Sequence, residues 1–95
     1  MALTLEMPQD MDAAEMDRMR DTLDEIVAKK EDVVLDLRQT TFIDSSGIGA
    51  IVFLYKRLSM AKRELKLENV SGQPLRLLKH LKLNRIIASE GDAAA

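Results

Sequence analysis

The segment Val33-Val34-Leu35-Asp36-Leu37 constrains the fold more than any other part of this chain. It is a short, nearly continuous apolar run rich in β-branched side chains. Such a run reads as a central strand covered on both faces, as in parallel sheets. Parallel neighbours cannot be joined by a tight turn, so the flanking sequence has to supply helical crossovers.

Both flanks do so. Leu3, Leu5 and Met7 alternate with Thr4 and Glu6, the period of a strand with one buried face, and Pro8 ends it. Asp10 or Asp12 can cap the next element, a helix. Over residues 12–30, Met16, Met19, Leu23, Ile26 and Val27 recur at helical spacing. Acids fill the early turns and Lys29-Lys30 the end, as a helix dipole favours. After the central run, Arg38-Gln39-Thr40-Thr41 reads as a bend or a polar strand extension, and Phe42-Ile43 is apolar again. Asp44-Ser45-Ser46-Gly47 marks a turn and helix start. Ile48, Ile51, Val52, Leu54, Tyr55 and Leu58 support a helix that is apolar around much of its girth. Leu65 and Leu67, extended to Val70, read as a third strand. Ser71-Gly72-Gln73 turns the chain, Pro74 suits the first residue of a final helix, and Leu75, Leu77, Leu78 and Leu81 supply its inner face. Ile86-Ile87 adds a last packed segment, and residues 91–95 are expected to fray. The order β-α-β-α-β-α predicts an α/β fold, a mainly parallel sheet with helices packed against it. Residues 1–95 read as a single domain with an ordered core from about 3 to 88.

Composition narrows the function. With 14 basic and 16 acidic residues there is no basic excess for nucleic-acid binding. The absence of cysteine removes disulfides, thiolate zinc sites and cysteine nucleophiles. No apolar run reaches the roughly 18–20 residues of a spanning helix. The first residues lack a basic region followed by an apolar stretch, so no secretory signal is expected and the location is expected to be cytoplasmic. No phosphate-binding Gly-x-x-x-x-Gly-Lys run is present, and Gly47-Ile48-Gly49 lacks the third glycine of a dinucleotide fingerprint. There is no Gly-x-Ser-x-Gly elbow, and His80, the single histidine, lies in a leucine-rich helix where a structural role is expected. Carboxylates lie on a solvated helix rather than in a metal-ligating cluster. The expectation is a binding protein without cofactor or metal, not an enzyme. Aromatics make up 3% of residues, so the core must be aliphatic, with methionines as filler. Charge is unevenly placed: acids dominate residues 10–25 and bases residues 56–85. This describes either two solvated helix faces or a polarised surface that orients a partner.

The turn at Asp44-Ser45-Ser46-Gly47 carries the functional reading. Ligands of open α/β sheets gather at the carboxyl ends of strands. A helix N-terminus offers free N–H groups and a partial positive charge to an anion such as phosphate. Gly47 and Gly49 allow close approach. The plain alternative is an N-cap at Asp44 or Ser45, worth about 1 kcal/mol.

These segments resemble the STAS domain of bacterial anti-sigma factor antagonists. The resemblance rests on Val33-Val34-Leu35-Asp36-Leu37, on Phe42-Ile43-Asp44-Ser45-Ser46-Gly47-Ile48-Gly49 and on Leu54-Tyr55-Lys56-Arg57. It continues through Glu64-Leu65-Lys66-Leu67-Glu68-Asn69-Val70-Ser71 and Leu81-Lys82-Leu83, covering roughly residues 3–87. It implies a small mixed sheet packed by helices. It also implies that the unphosphorylated protein binds an anti-sigma factor that is a serine kinase using ATP, that phosphorylation of the turn breaks the complex, and that a metal-dependent serine phosphatase restores it. By position the acceptor is Ser46, with Ser45 the alternative. The implied partner surface is Asp44, Ser45, Ser46, Gly47, Ile48 and Gly49, with Thr40 and Thr41 beside them. STAS-like domains also serve as subunits regulating membrane transporters or lipid-transport complexes. The chain departs from the family pattern twice. Only one strand is evident before the first helix, where two in a hairpin are usual. Lys62-Arg63-Glu64 stands where a glycine commonly ends the second helix.

Overall fold

The central run forms the middle of a three-stranded parallel sheet. In a computed structural model, which describes residues 2–88, β1 (Ala2–Glu6) pairs with β3 (Asp32–Asp36), and β3 pairs with β5 (Leu65–Glu68). Leu3, Val33 and Leu65 share one register position, and Leu5, Leu35 and Leu67 the next on that face. Val33, Leu35, Leu65 and Leu67 are buried, as is Leu37 beyond the strand. The opposite face carries Thr4, Val34 and Lys66, then Glu6, Asp36 and Glu68. These are exposed or half-buried. The expected cover on both faces is therefore corrected. Among the described residues the helices lie on the face of Val33 and Leu35, so the run reads as alternating in/out with Val34 on the wetter side.

β2 (Asp10–Met11) runs parallel to β4 (Phe42–Ile43). A second strand does precede the first helix, but it is two residues long and pairs with β4 rather than forming a hairpin with β1. Two residues are too few for any period to show. The predicted helix over 12–30 is divided into α1 (Ala13–Arg18) and α2 (Arg20–Ala28) at Met19. No proline or glycine marks the break. Both helices pack on α3, and α1 packs on β2 as well. Asp12, not Asp10, is the cap: its carboxylate accepts from the Glu15 N–H at 2.9 Å. Met7, Met11 and Met16 join the aliphatic core, whereas Met60 is exposed. Residues 38–39 form a turn, deciding the bend over the strand extension.

α3 (Ser45–Met60) buries Gly47, Ile51, Leu54 and Leu58 against the sheet. It ends without glycine. Lys62 adopts φ 59°, the Lys62 N–H donates to the Ser59 carbonyl at 3.0 Å and the Arg63 N–H to that of Leu58 at 2.8 Å. This is the double-bonded left-handed helix end that glycine usually fills. Arg63 then turns its guanidinium back to the carbonyls of Ile26, Val27 and Glu31, at 2.9, 2.9 and 2.7 Å, tying α3 to the C-terminus of α2. α4 (Gly72–His80) starts before Pro74, which occupies its first turn and is buried. The same left-handed end recurs at Lys82, φ 61°. Leu81, at the end of α4, is 43% exposed, and the chain reversal at Lys82 brings Leu83 rather than Leu81 onto the core. His80 sits exposed at the end of α4. A 3-10 turn, α5 (Asn84–Ile86), leads to Ile87, which bridges Leu67 in parallel, and both isoleucines are buried. The expected fraying of residues 91–95 lies outside the described residues.

Candidate functional site

Short-range pairing builds the turn before α3. Asp10 and Met11 pair with Phe42 and Ile43, and the Asp44 N–H donates to the Met11 carbonyl at 3.2 Å. On the other edge of β4, Gln73 takes the place of a strand. Its Oε1 accepts from the Ile43 N–H and its Nε2 donates to the Ile43 carbonyl, both at 2.9 Å. Ile43 is thus clamped on both sides immediately before the turn.

Asp44 is the N-cap. Its Oδ1 accepts from the N–H groups of Ser46 at 2.8 Å and Gly47 at 3.2 Å. Its carbonyl accepts from the Ile48 N–H at 3.0 Å. The carboxylate organises the turn, and in doing so it occupies donors that the sequence left free for phosphate. A phosphate on either serine stands beside this carboxylate rather than in an empty anion site.

Ser45 opens the helix and is exposed. Ser46 is half-buried and lines a groove of about 380 Å³ between α3 and the α1–α2 pair. Ala50 and Phe53 continue its α3 wall, and Asp17, Arg20 and Asp24 face them. Asp17 and Arg20 form an ion pair. Phe53 is 42% exposed and carries the Arg57 guanidinium 5.5 Å from its ring centre. Phe42, just upstream of the turn, is 44% exposed.

The two glycines differ. A Cβ on Gly47 would lie 2.5 Å from the Met11 carbonyl oxygen and 2.7 Å from Ile43 Cγ2, so only glycine lets α3 sit against β2. A Cβ on Gly49 would meet nothing within 4 Å. Gly49 leaves open helix surface that a partner can approach. Ile48 is half-buried against the core. Thr41 is exposed, but Thr40 is 3% exposed and its hydroxyl donates to the Pro8 carbonyl at 2.7 Å. Ser45, Ser46, Gly49 and Thr41 therefore reach the surface of this region, and Gly47 and Thr40 support it from within. Sequence reasoning missed Gln73 and Phe53. No local signal marks the first. The helical spacing of Ser46, Ala50, Phe53 and Arg57 could have found the second.

Asp36 lies at the carboxyl end of β3. It accepts hydrogen bonds from Asn69 Nδ2 and the Arg38 N–H, each at 2.9 Å. The Asn69 bond first, then the Arg38 N–H, hold its carboxyl below the ordinary value of 3.8.

A family model described as the STAS domain matches residues 1–93. The chain belongs to the STAS domain family. This STAS domain is similar in fold to a sulfate transporter family protein from Wolinella succinogenes, with TM-score 0.76 and 20% identity over 94% of this chain and 73% of that one. It is also similar to the Bacillus cell fate determinant SpoIIAA in the phosphorylated form, with TM-score 0.74 and 17% identity over 98% of this chain and 87% of that one. The anti-sigma factor antagonist SpoIIAA in its unphosphorylated form matches with TM-score 0.67 and 14% identity over 90% and 88% of the two chains. At these identities the likeness is one of fold. Among the described residues of the STAS domain, no helix is long and apolar enough to cross a membrane.

Proposed function

We propose that this STAS domain is a phosphorylation-switched regulatory binding protein of the cytoplasm. Unphosphorylated, it holds an anti-sigma factor that is also a serine kinase. The complex breaks when the kinase phosphorylates Ser46. The observation that carries this reading is the placement of Ser46. It lies in the first turn of a helix capped by Asp44, at the lip of a groove walled by Phe53. The likeness to SpoIIAA in fold supports it.

In the transfer, Ser46 Oγ attacks the γ-phosphorus of ATP, the bond to ADP breaks, and the hydroxyl proton passes to a base of the kinase. Asp44 is no candidate for that base, because its Oδ1 already holds two N–H groups. The phosphate adds about −1.5 to −2 charges to a chain of net charge −2, facing Asp17 and Asp24 in the groove and Asp44 behind it. An interface that covers Thr41, Ser45, Ser46 and Gly49 then meets repulsion and desolvation. A loss of about 3 kcal/mol is roughly a hundredfold in affinity. No refolding is needed. A metal-dependent serine phosphatase resets the switch.

The test is intact-mass measurement after incubation with a candidate kinase and ATP. The native chain should gain one phosphate, and Ser46→Ala should gain none while staying bound to the kinase. Phosphate retained in Ser46→Ala and lost in Ser45→Ala would move the acceptor to Ser45. A second reading is a non-enzymatic subunit of a membrane transporter or lipid-transport complex, favoured by the likeness to the sulfate transporter family protein. It uses the same surface without phosphorylation. A neighbouring kinase or phosphatase gene supports the switch, and a neighbouring transporter ATPase gene supports the subunit.

A further inference from the structure

α3 has a second groove on the flank facing away from the serine. At about 100° per residue, Ser46, Ala50, Phe53 and Arg57 share one flank of the helix, and Val52 and Tyr55 fall roughly opposite. There, a groove of about 300 Å³ runs between α3 and the segment after α4. Ile51, Val52, Leu83 and Ile86 give it aliphatic walls, and Tyr55 lies along it. Lys56, Lys82 and Arg85 stand exposed at its rim, and no carboxylate lines it.

The charge is not an incidental feature of a basic protein, because the chain as a whole is at −2. Among the described residues, none of these three cations forms an ion pair, and the Tyr55 hydroxyl makes no hydrogen bond. Glu64 lines the adjoining depression beside Arg85 but forms no ion pair with it, so three cations at one rim repel one another and favour an incoming anion. The aliphatic walls select against a small, strongly hydrated anion and favour one that brings apolar surface. The volume lies at the lower end of small-molecule sites, about 300–1,000 Å³.

We propose that this groove binds a single-chain amphiphilic anion, a medium-length aliphatic chain ending in a carboxylate. Its head sits among Lys56, Lys82 and Arg85, and its chain lies along Ile51, Val52, Leu83 and Ile86. Because the groove and Ser46 occupy opposite flanks of one helix, the ligand and a partner at the serine turn bind without excluding each other. The inference does not depend on phosphorylation of Ser46.

The full chain, titrated with octanoate and followed by amide NMR, tests it. Saturable shifts should centre on Val52, Tyr55, Leu83 and Ile86. Octanol, octyltrimethylammonium and inorganic phosphate should each bind at least about tenfold more weakly. The double variant Lys56→Gln/Arg85→Gln should keep its spectrum and lose about five- to tenfold in octanoate affinity. The matched control Lys29→Gln/Lys30→Gln, at the end of α2, should lose none. The proposal is overturned by absence of saturation, by shifts centred elsewhere, or by equal affinity for octanol, the cationic homologue or phosphate. An equal loss in the control pair overturns it as well.

Discussion

Gly47 and Gly49 are two residues apart in one helix and do opposite jobs. The Gly47 Cα faces backbone of β2, so Gly47→Ala forces the Met11 carbonyl and Ile43 apart. It should destabilise the fold by about 1–3 kcal/mol in urea unfolding, as overpacked sites do. Gly49 faces open space, so Gly49→Ala should stabilise by about 0.5–1 kcal/mol through helix propensity alone. The same variant should weaken capture of the partner kinase, because the added methyl group stands on the surface proposed for docking. Stability rising while affinity falls would separate a binding glycine from a packing one, and unchanged affinity would remove Gly49 from the interface. Gln73 acts at the same scale. Gln73→Ala removes both side-chain bonds to Ile43 and leaves its N–H and carbonyl half-buried. A loss of about 2 kcal/mol is expected, with faster hydrogen exchange at the Ile43 amide as the local readout.

At the scale of elements, the helix ends show how this chain manages without the usual glycine. Lys62 and Lys82 both hold left-handed backbone, φ 59° and 61°, at the exits of α3 and α4. A side chain there costs about 1 kcal/mol against glycine. Lys62→Gly and Lys82→Gly should therefore each raise unfolding free energy by about 0.5–1 kcal/mol, less the extra freedom of the unfolded chain. Thermal or urea melts of the single and double variants check this, and the two should add, since they cap different helices. Lys62 is followed by Arg63, whose three bonds to carbonyls of residues 26, 27 and 31 brace α2. The missing glycine thus leaves the course of the chain intact. The second strand, Asp10–Met11, is likewise an element that exists only through its pairing with Phe42–Ile43.

Across the whole molecule, the layering leaves one sheet face to solvent, with Glu6, Asp36 and Glu68 at one register position. Asp36 remains ionised among these acids because Asn69 and the Arg38 N–H hold its charged form. Its folded-state value lies below the ordinary 3.8, so the stabilisation is complete above that value. It is lost as pH falls from there through the lowered folded-state value. Urea midpoints measured at successively lower pH should fall in this window. Asn69→Ala should flatten the fall, because it removes the larger of the two interactions that lower the value. A fall as steep as in the native chain would assign the acid sensitivity to other carboxylates.

The local sequence alone determined that this is an α/β chain with a parallel sheet, and that a serine turn opens the helix after the central strand; that Asp44 rather than Ser45 caps it was left to the structure. Those features are local: the alternation in Leu3-Thr4-Leu5-Glu6-Met7, the spacing from Ile48 to Leu58, and the order of Asp44, Ser45, Ser46 and Gly47. Tertiary structure alone decided which face of the sheet the helices cover, and that β2 pairs with β4. It also decided that Thr40 points inward, and that Gln73, thirty residues downstream, clamps Ile43. These depend on contacts between segments far apart in the chain, where a single polar side chain or a two-residue pairing leaves no repeating pattern to read. The serine turn itself lies between the two cases. Its residues are legible in order, but the field around it depended on where the Asp44 carboxylate finally points, onto the donors of Ser46 and Gly47.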